Sequence, residues 1–172
     1  MVSSYVITSY DAQWPVFAEA EKALLISTLQ FEGWRVEHVG STAVPGLAAK
    51  PIIDLMLGIP EMKDSHIFVP HLASIGYEQL GETVPGTLYN RKAVPRRFNL
   101  HLTQYGGDFW IEHILFRDYL SSNPEVAAEY ERLKRALMAR LAHDPPAYNE
   151  GKADFIRSVL ERAGAELGLQ RI

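Results

Sequence analysis

The chain has 172 residues, of which 47% are hydrophobic and 22% charged, and its formal net charge is -4. That length and balance describe one globular domain able to bury most of its apolar surface. The mild acidity argues against a dedicated nucleic-acid or membrane-surface partner, and the lack of cysteine removes disulfides, thiolate zinc sites and cysteine nucleophiles.

The start, MVSSYVITSYDAQW, has neither a basic opening nor an apolar core, so no signal peptide is expected. No run approaches the ~20 apolar residues of a membrane span. A cytoplasmic protein is the expectation. Residues 1–107 read as a sheet core with an N-terminal helix, and 108–172 as C-terminal helices, all within one domain.

A first helix is expected from about Ala12 to Phe31, with Asp11 placed to cap it and Pro15 in the first turn. Its apolar spacing puts Phe17, Ala20, Leu24, Ser27 and Phe31 on the inner face. Trp34 to Val39 reads as a strand, and Pro51 to Ile59 as its partner, buried on both faces. Met62 to Ile75 is a helix ending at Gly76. Tyr77 to Leu80 and Thr87 to Lys92 form short strands around a Pro85-Gly86 turn. From Arg96 to Gln104 the pattern alternates, with Phe98, Leu100 and Leu102 on one face and Arg97, Asn99, His101 and Thr103 on the other.

The last third is helical. Asp108 opens a helix to Leu120, and Asn123-Pro124-Glu125 is a strong start signal for another, to Ala142. That helix should bury Val126, Tyr130, Leu133, Leu137 and Leu141, leaving its charges as a solvated face. Asp144-Pro145-Pro146 opens one last helix, with Phe155, Ile156, Val159, Leu160 and Ala163 inward. The layout is an α/β or α+β mixed sheet of four to six strands flanked by helices.

The chemistry concentrates between residues 36 and 58. Gly40, Ser41 and Thr42 make a hydroxyl-rich turn suited to a phosphate. Asp54 is a lone carboxylate in an apolar strand, where charge is costly unless paired. Lys50 sits at the strand entrance, held extended by Pro51, where it could neutralise a phosphate or simply be solvated. His101 could share a metal with Asp54 or merely orient it. Arg117 could clamp a phosphate or tie elements together. Glu37 and His38 alternate, so only one faces the pocket, and Lys134 and Lys152 could reach it from the C-terminal helices. Arg91, Lys92, Arg96 and Arg97 form a basic cluster without the aromatic interleaving of a nucleic-acid platform.

The run from His38 to Asp54, HVGSTAVPGLAAKPIID, resembles the signature of the GrpB family. Trp14-Pro15, Asn99 to Leu102, Phe116 to Leu120 and Tyr130 to Lys134 carry the resemblance across nearly the whole chain. It implies a nucleotidyltransferase-like fold related to the polymerase-β superfamily, and some members are fused to dephospho-coenzyme A kinase. The superfamily pattern is Gly-Ser, a spacer, then Asp-x-Asp or Asp-x-Glu on the next strand. Gly40-Ser41, twelve residues and Asp54 match that spacing, but Met56 stands in the second acid position, and a thioether is a poor ligand for Mg²⁺.

Two functions follow as expectations. One is a nucleotidyl or phosphoryl transferase, with Asp54 and His101 catalytic and binding Mg²⁺ or Mn²⁺, and Gly40, Ser41, Thr42, Lys50 and Arg117 holding phosphate. The other is a catalytically silent nucleotide- or coenzyme-binding domain. A weaker third is a docking module using the C-terminal helices. The expected partner is a small phosphorylated ligand or nucleotide, with no specific nucleic acid and no membrane.

Overall fold

The computed structural model describes residues 6–168. Five strands form one mixed sheet in the order β1-β2-β5-β4-β3. They are β1 (Arg35–Val39), β2 (Ile53–Ile59), β3 (Glu78–Val84), β4 (Thr87–Lys92) and β5 (Phe98–Gln104). β2 and β5 run parallel at the centre, and the other neighbours are antiparallel. A parallel central pair needs a long crossover, which α2 (Ser65–Ser74) and the β3–β4 hairpin supply.

Alternation sorts the two faces. Ile53, Leu55, Leu57 and Ile59 of β2 join Phe98, Leu100 and Leu102 of β5 on one face, beneath α1 (Gln13–Thr28) and α2. Each such fully buried aliphatic side chain contributes about 1.5–3 kcal/mol. The opposite face carries Asp54, Met56 and Gly58 beside Asn99, His101 and Thr103. There α3 (Asp108–Ser122) packs Trp110 over Val39 and Met56. Gly58 must be glycine, since a methyl there would lie 2.6 Å from the Trp110 ring.

α1 differs from its expected face. Its buried residues are Trp14, Ala18, Glu21 and Leu25, while Ala20, Ser27 and Phe31 are exposed. The helix is rotated because Glu21 turns inward to accept Lys92 Nζ at 2.7 and 3.1 Å. Both side chains are only 7% exposed, so removing one partner would strand a buried charge. Lys92 thus leaves the expected surface cluster. Arg96 also leaves it, stacking its guanidinium 3.5 Å over the Phe17 ring. α1 stops at Thr28 rather than Phe31, because the Ser27 and Thr28 hydroxyls both bond Leu24 O and compete for helical carbonyls.

The C-terminal helices are α4 (Pro124–Leu141), α5 (Pro145–Glu150) and α6 (Ala153–Glu166). The single last helix expected from sequence is two, broken at Gly151-Lys152. A side chain at Gly151 would meet Leu137 Cδ2 at 2.6 Å, so α5 and α4 approach closely through that glycine. These helices close over the Val44–Leu47 loop with Leu120, Val126, Tyr130 and Val159. Among the described residues, no helix is long and apolar enough to cross a membrane.

Candidate functional site

The strand register brings the serine turn to the aspartate. Val39 pairs with Asp54, so the chain leaving β1 passes directly over that carboxyl. Gly40 takes φ +73, a left-handed conformation that favours glycine, and a Cβ there would sit 2.8 Å from Asp54 Oδ2. Ser41–Ala43 then forms a single 3₁₀ turn. Within it, Thr42 is buried and its hydroxyl lies 2.9 Å from His38 Nε2, which pins the turn, while Ser41 keeps an accessible edge.

Asp54 is half-buried. Asn99 Nδ2 donates to its Oδ1 at 2.7 Å, and Asn99 Oδ1 accepts from the Tyr89 hydroxyl at 2.7 Å. Burial pushes the Asp54 pKa up to about 6, against the opposing pull of Asn99, Lys152 and Lys50.

The rest of the site comes from the C-terminal helices. Lys134 of α4 is 3% exposed, and its Nζ donates to Ser41 Oγ at 3.0 Å and to Ala48 O at 2.5 Å. One turn earlier, Glu131 accepts Ala48 N–H at 3.0 Å, so α4 grips both backbone polar groups of Ala48. The Tyr130 hydroxyl faces Ser41 and Asp54, and burial pushes its pKa up. Lys152, placed by the break between α5 and α6, lies 4.6 Å from the Tyr148 ring centroid, and Lys50 lies 4.1 Å from it. Burial and mutual repulsion depress these cations. Lys134 falls to about 7, by burial first and Lys152 next, and Lys152 falls to about 8, by burial and then Lys50.

Of the residues expected from sequence, Gly40, Ser41, Asp54 and Lys50 belong to this cluster, and Thr42 supports it from below. His101 does not pair with Asp54. The β2–β5 register sets Asn99 opposite Asp54 and His101 opposite Met56, one step along the same face. There His101 packs among Tyr89, Phe109 and His113, and burial lowers its pKa to about 4. Arg117 is engaged elsewhere, donating to Glu37 at 2.8 Å, His38 O at 3.0 Å and Asp118 at 2.7 Å. Between Glu37 and His38, register puts Glu37 on the Asp54 face, where Arg117 holds it beside Met56.

Asn99, Tyr130 and Tyr148 are site residues that sequence reasoning missed as such, while Lys134, read both as part of a solvated face and as able to reach the pocket, and Lys152 both stand at the cluster. One signal was present. Lys134 continues the Val126-Tyr130 spacing of the inner stripe, and a lysine on such a stripe either snorkels or serves a site.

The donor set does not suit a protein-ligated divalent cation. Mg²⁺ and Mn²⁺ favour several oxygen ligands. Here one carboxylate stands beside an amide donor and within the field of two lysines, and Met56 fills the next position. Among the described residues, no three His, Asp or Glu side chains converge as a metal site.

Comparison with known proteins agrees with this architecture. The family model described as GrpB protein matches residues 4–162. The chain is 33% identical over 162 residues to the glutamate-rich protein GrpB of Alkalihalophilus pseudofirmus, covering 90% of this chain and 93% of that one. It is 28% identical to a dephospho-CoA kinase of Mycolicibacterium paratuberculosis, of which it spans only 44%. The crystal structure of the conserved protein GrpB from Enterococcus faecalis superposes with a TM-score of 0.83 at 34% identity, covering 94% of this chain and 99% of that one. More distantly, the GLD-2/RNP-8 complex structure matches at TM-score 0.59 and 16% identity, covering 88% of this chain and 50% of that one. The Cid1 poly(U) polymerase bound to MgATP matches at 0.53 and 12%, covering 74% of this chain and 42% of that one. Those distant matches establish a nucleotidyltransferase-like fold. With the family model spanning most of its length and relatives above 30% identity over nearly all of theirs, the chain belongs to the GrpB family.

Proposed function

We propose that this protein binds a small phosphorylated ligand, of nucleotide or coenzyme type, where the Gly40–Ala43 turn meets the C-terminal helices. One observation carries the reading. Lys134 reaches Ser41 from a buried position, and Lys50 and Lys152 meet at Tyr148 within the field of Asp54. Gathering cations in a partly buried site is costly, and a bound anion would recover that cost. In this reading Lys50, Lys134 and Lys152 supply the positive charge that faces the anion.

Isothermal titration tests this, with sulfate first and then a panel of nucleotides, each with and without Mg²⁺ or Mn²⁺. The expected result is saturable one-to-one binding, weakened at least tenfold by Lys152→Met and by Ser41→Ala, and indifferent to metal. No binding of any anion, or binding that ignores both substitutions, defeats the reading. The approach of Asp54 to the Gly-Ser turn favours a second reading, nucleotidyl or phosphoryl transfer. Affinity raised tenfold by metal and lost in Asp54→Asn would support it instead.

A further inference from the structure

Lys134 does more than carry charge. Its Nζ is 3.0 Å from Ser41 Oγ, within proton-transfer distance, and the bond to Ala48 O fixes its direction. Among the described residues it forms no ion pair: the neighbouring Glu131 carboxylate is taken by Ala48 N–H and Arg135. Burial and the nearby Lys152 ammonium outweigh the attraction of Glu131, so this amine loses its proton readily. Ser41 follows a strand and a positive-φ glycine at the head of a helical turn, partly accessible, with the Tyr130 hydroxyl beside it. A serine, a proton-accepting amine and an orienting partner are the parts of an activated nucleophile.

We propose that Ser41 attacks the carbonyl of a small ester or thioester with Lys134 as its general base, making this site hydrolytic. The proposal rests on the preceding reading only for the anionic group of that substrate, which Lys50 and Lys152 would hold. In the first half, Ser41 Oγ bonds to the carbonyl carbon and its proton passes to Lys134 Nζ. The carbon–oxygen or carbon–sulfur bond then breaks, and Lys134 returns the proton to the departing alcohol or thiol. In the second half, water attacks the acyl-serine and its proton passes through Lys134 to Ser41 Oγ as the acid leaves. Ester and water become acid and alcohol, and no other reactant is consumed.

The test uses a small alkyl fluorophosphonate, which loses fluoride when a serine oxygen bonds to its phosphorus. Intact mass should show one adduct, peptide mapping should place it on Ser41, and Ser41→Ala should abolish it. Labelling should accelerate with pH and level off with a midpoint near the Lys134 value of about 7. Lys134→Arg, checked for folding by circular dichroism, should slow labelling at least 100-fold. No Ser41 adduct after prolonged excess probe, an adduct on another residue, a flat pH profile, or wild-type labelling in Lys134→Arg would overturn the proposal. Sulfate titration on the same samples separates the two readings: binding without labelling sinks only the nucleophile, and labelling without binding sinks only the anion pocket.

Discussion

Gly40 lies so close to Asp54 that a single methyl at residue 40 would come within 2.8 Å of the carboxyl oxygen. Chain direction at the end of β1 and the position of the acid on β2 are thus one decision. Gly40→Ala should destabilise the fold by about 2 kcal/mol and weaken sulfate binding, through left-handed strain and collision together. Gly46 has a similar φ of +80 but nothing within 4 Å of a built Cβ. Gly46→Ala should therefore cost about 1 kcal/mol and leave binding intact. Equal melting losses in the two variants would contradict this.

Lys134 should cost the protein stability in exchange for function. Its pKa falls from 10.5 to about 7 on folding. Between those values the unfolded chain binds the extra proton, so stability rises with pH across that window. Below pH 7 the penalty is complete. Lys134→Met removes it, so the melting-temperature difference of variant minus wild type should be more positive at pH 6 than at pH 9. The expected change is on the order of 2 kcal/mol, or roughly 5 °C. A difference that does not vary with pH would mean the ammonium is not strained.

Anion affinity should climb as pH falls from 8 to 5. Lys152 gains its proton near 8 and Lys134 near 7, and Asp54 loses its charge near 6. All three changes favour a bound anion. Sulfate keeps its double charge across this range, so its dissociation constant, read by titration, should fall at least tenfold, and the slope should shrink in Lys152→Met. A constant affinity would separate the lysine cluster from the binding site.

Arg117 sets β1 against α3 through Glu37 and His38 O. Arg117→Ala should cost about 1–2 kcal/mol in urea unfolding, as a lost charged hydrogen bond does, while leaving sulfate affinity within twofold. A large loss of affinity with unchanged stability would return Arg117 to the phosphate site.

Hydrophobic alternation and turn chemistry are local, and so the sequence declared most of the framework. Phe98, Leu100 and Leu102 alternate as strands require, Pro85-Gly86 turns the hairpin, and Asn123-Pro124 opens α4. Gly40-Ser41 and Asp54 were legible as a pair because they close one motif on consecutive sheet segments. Where the reading failed, a polar residue had been turned inward by a distant partner. Glu21 and Lys92 are 71 residues apart, and Lys134 and Ser41 are 93 apart. Helical spacing turns Lys134 inward, but no periodicity names the partner in either meeting.

By itself the sequence determined the family, the order of strands and helices along the chain, and the turn that passes over Asp54. Short-range forces and chain connectivity settle those. Only the tertiary structure decided that Asn99 rather than His101 faces Asp54, that Arg117 braces a strand, and that three lysines gather at the serine turn. Register between strands and the packing of α4 to α6 fix those neighbours, and both depend on how whole elements fit together rather than on any residue's own preference.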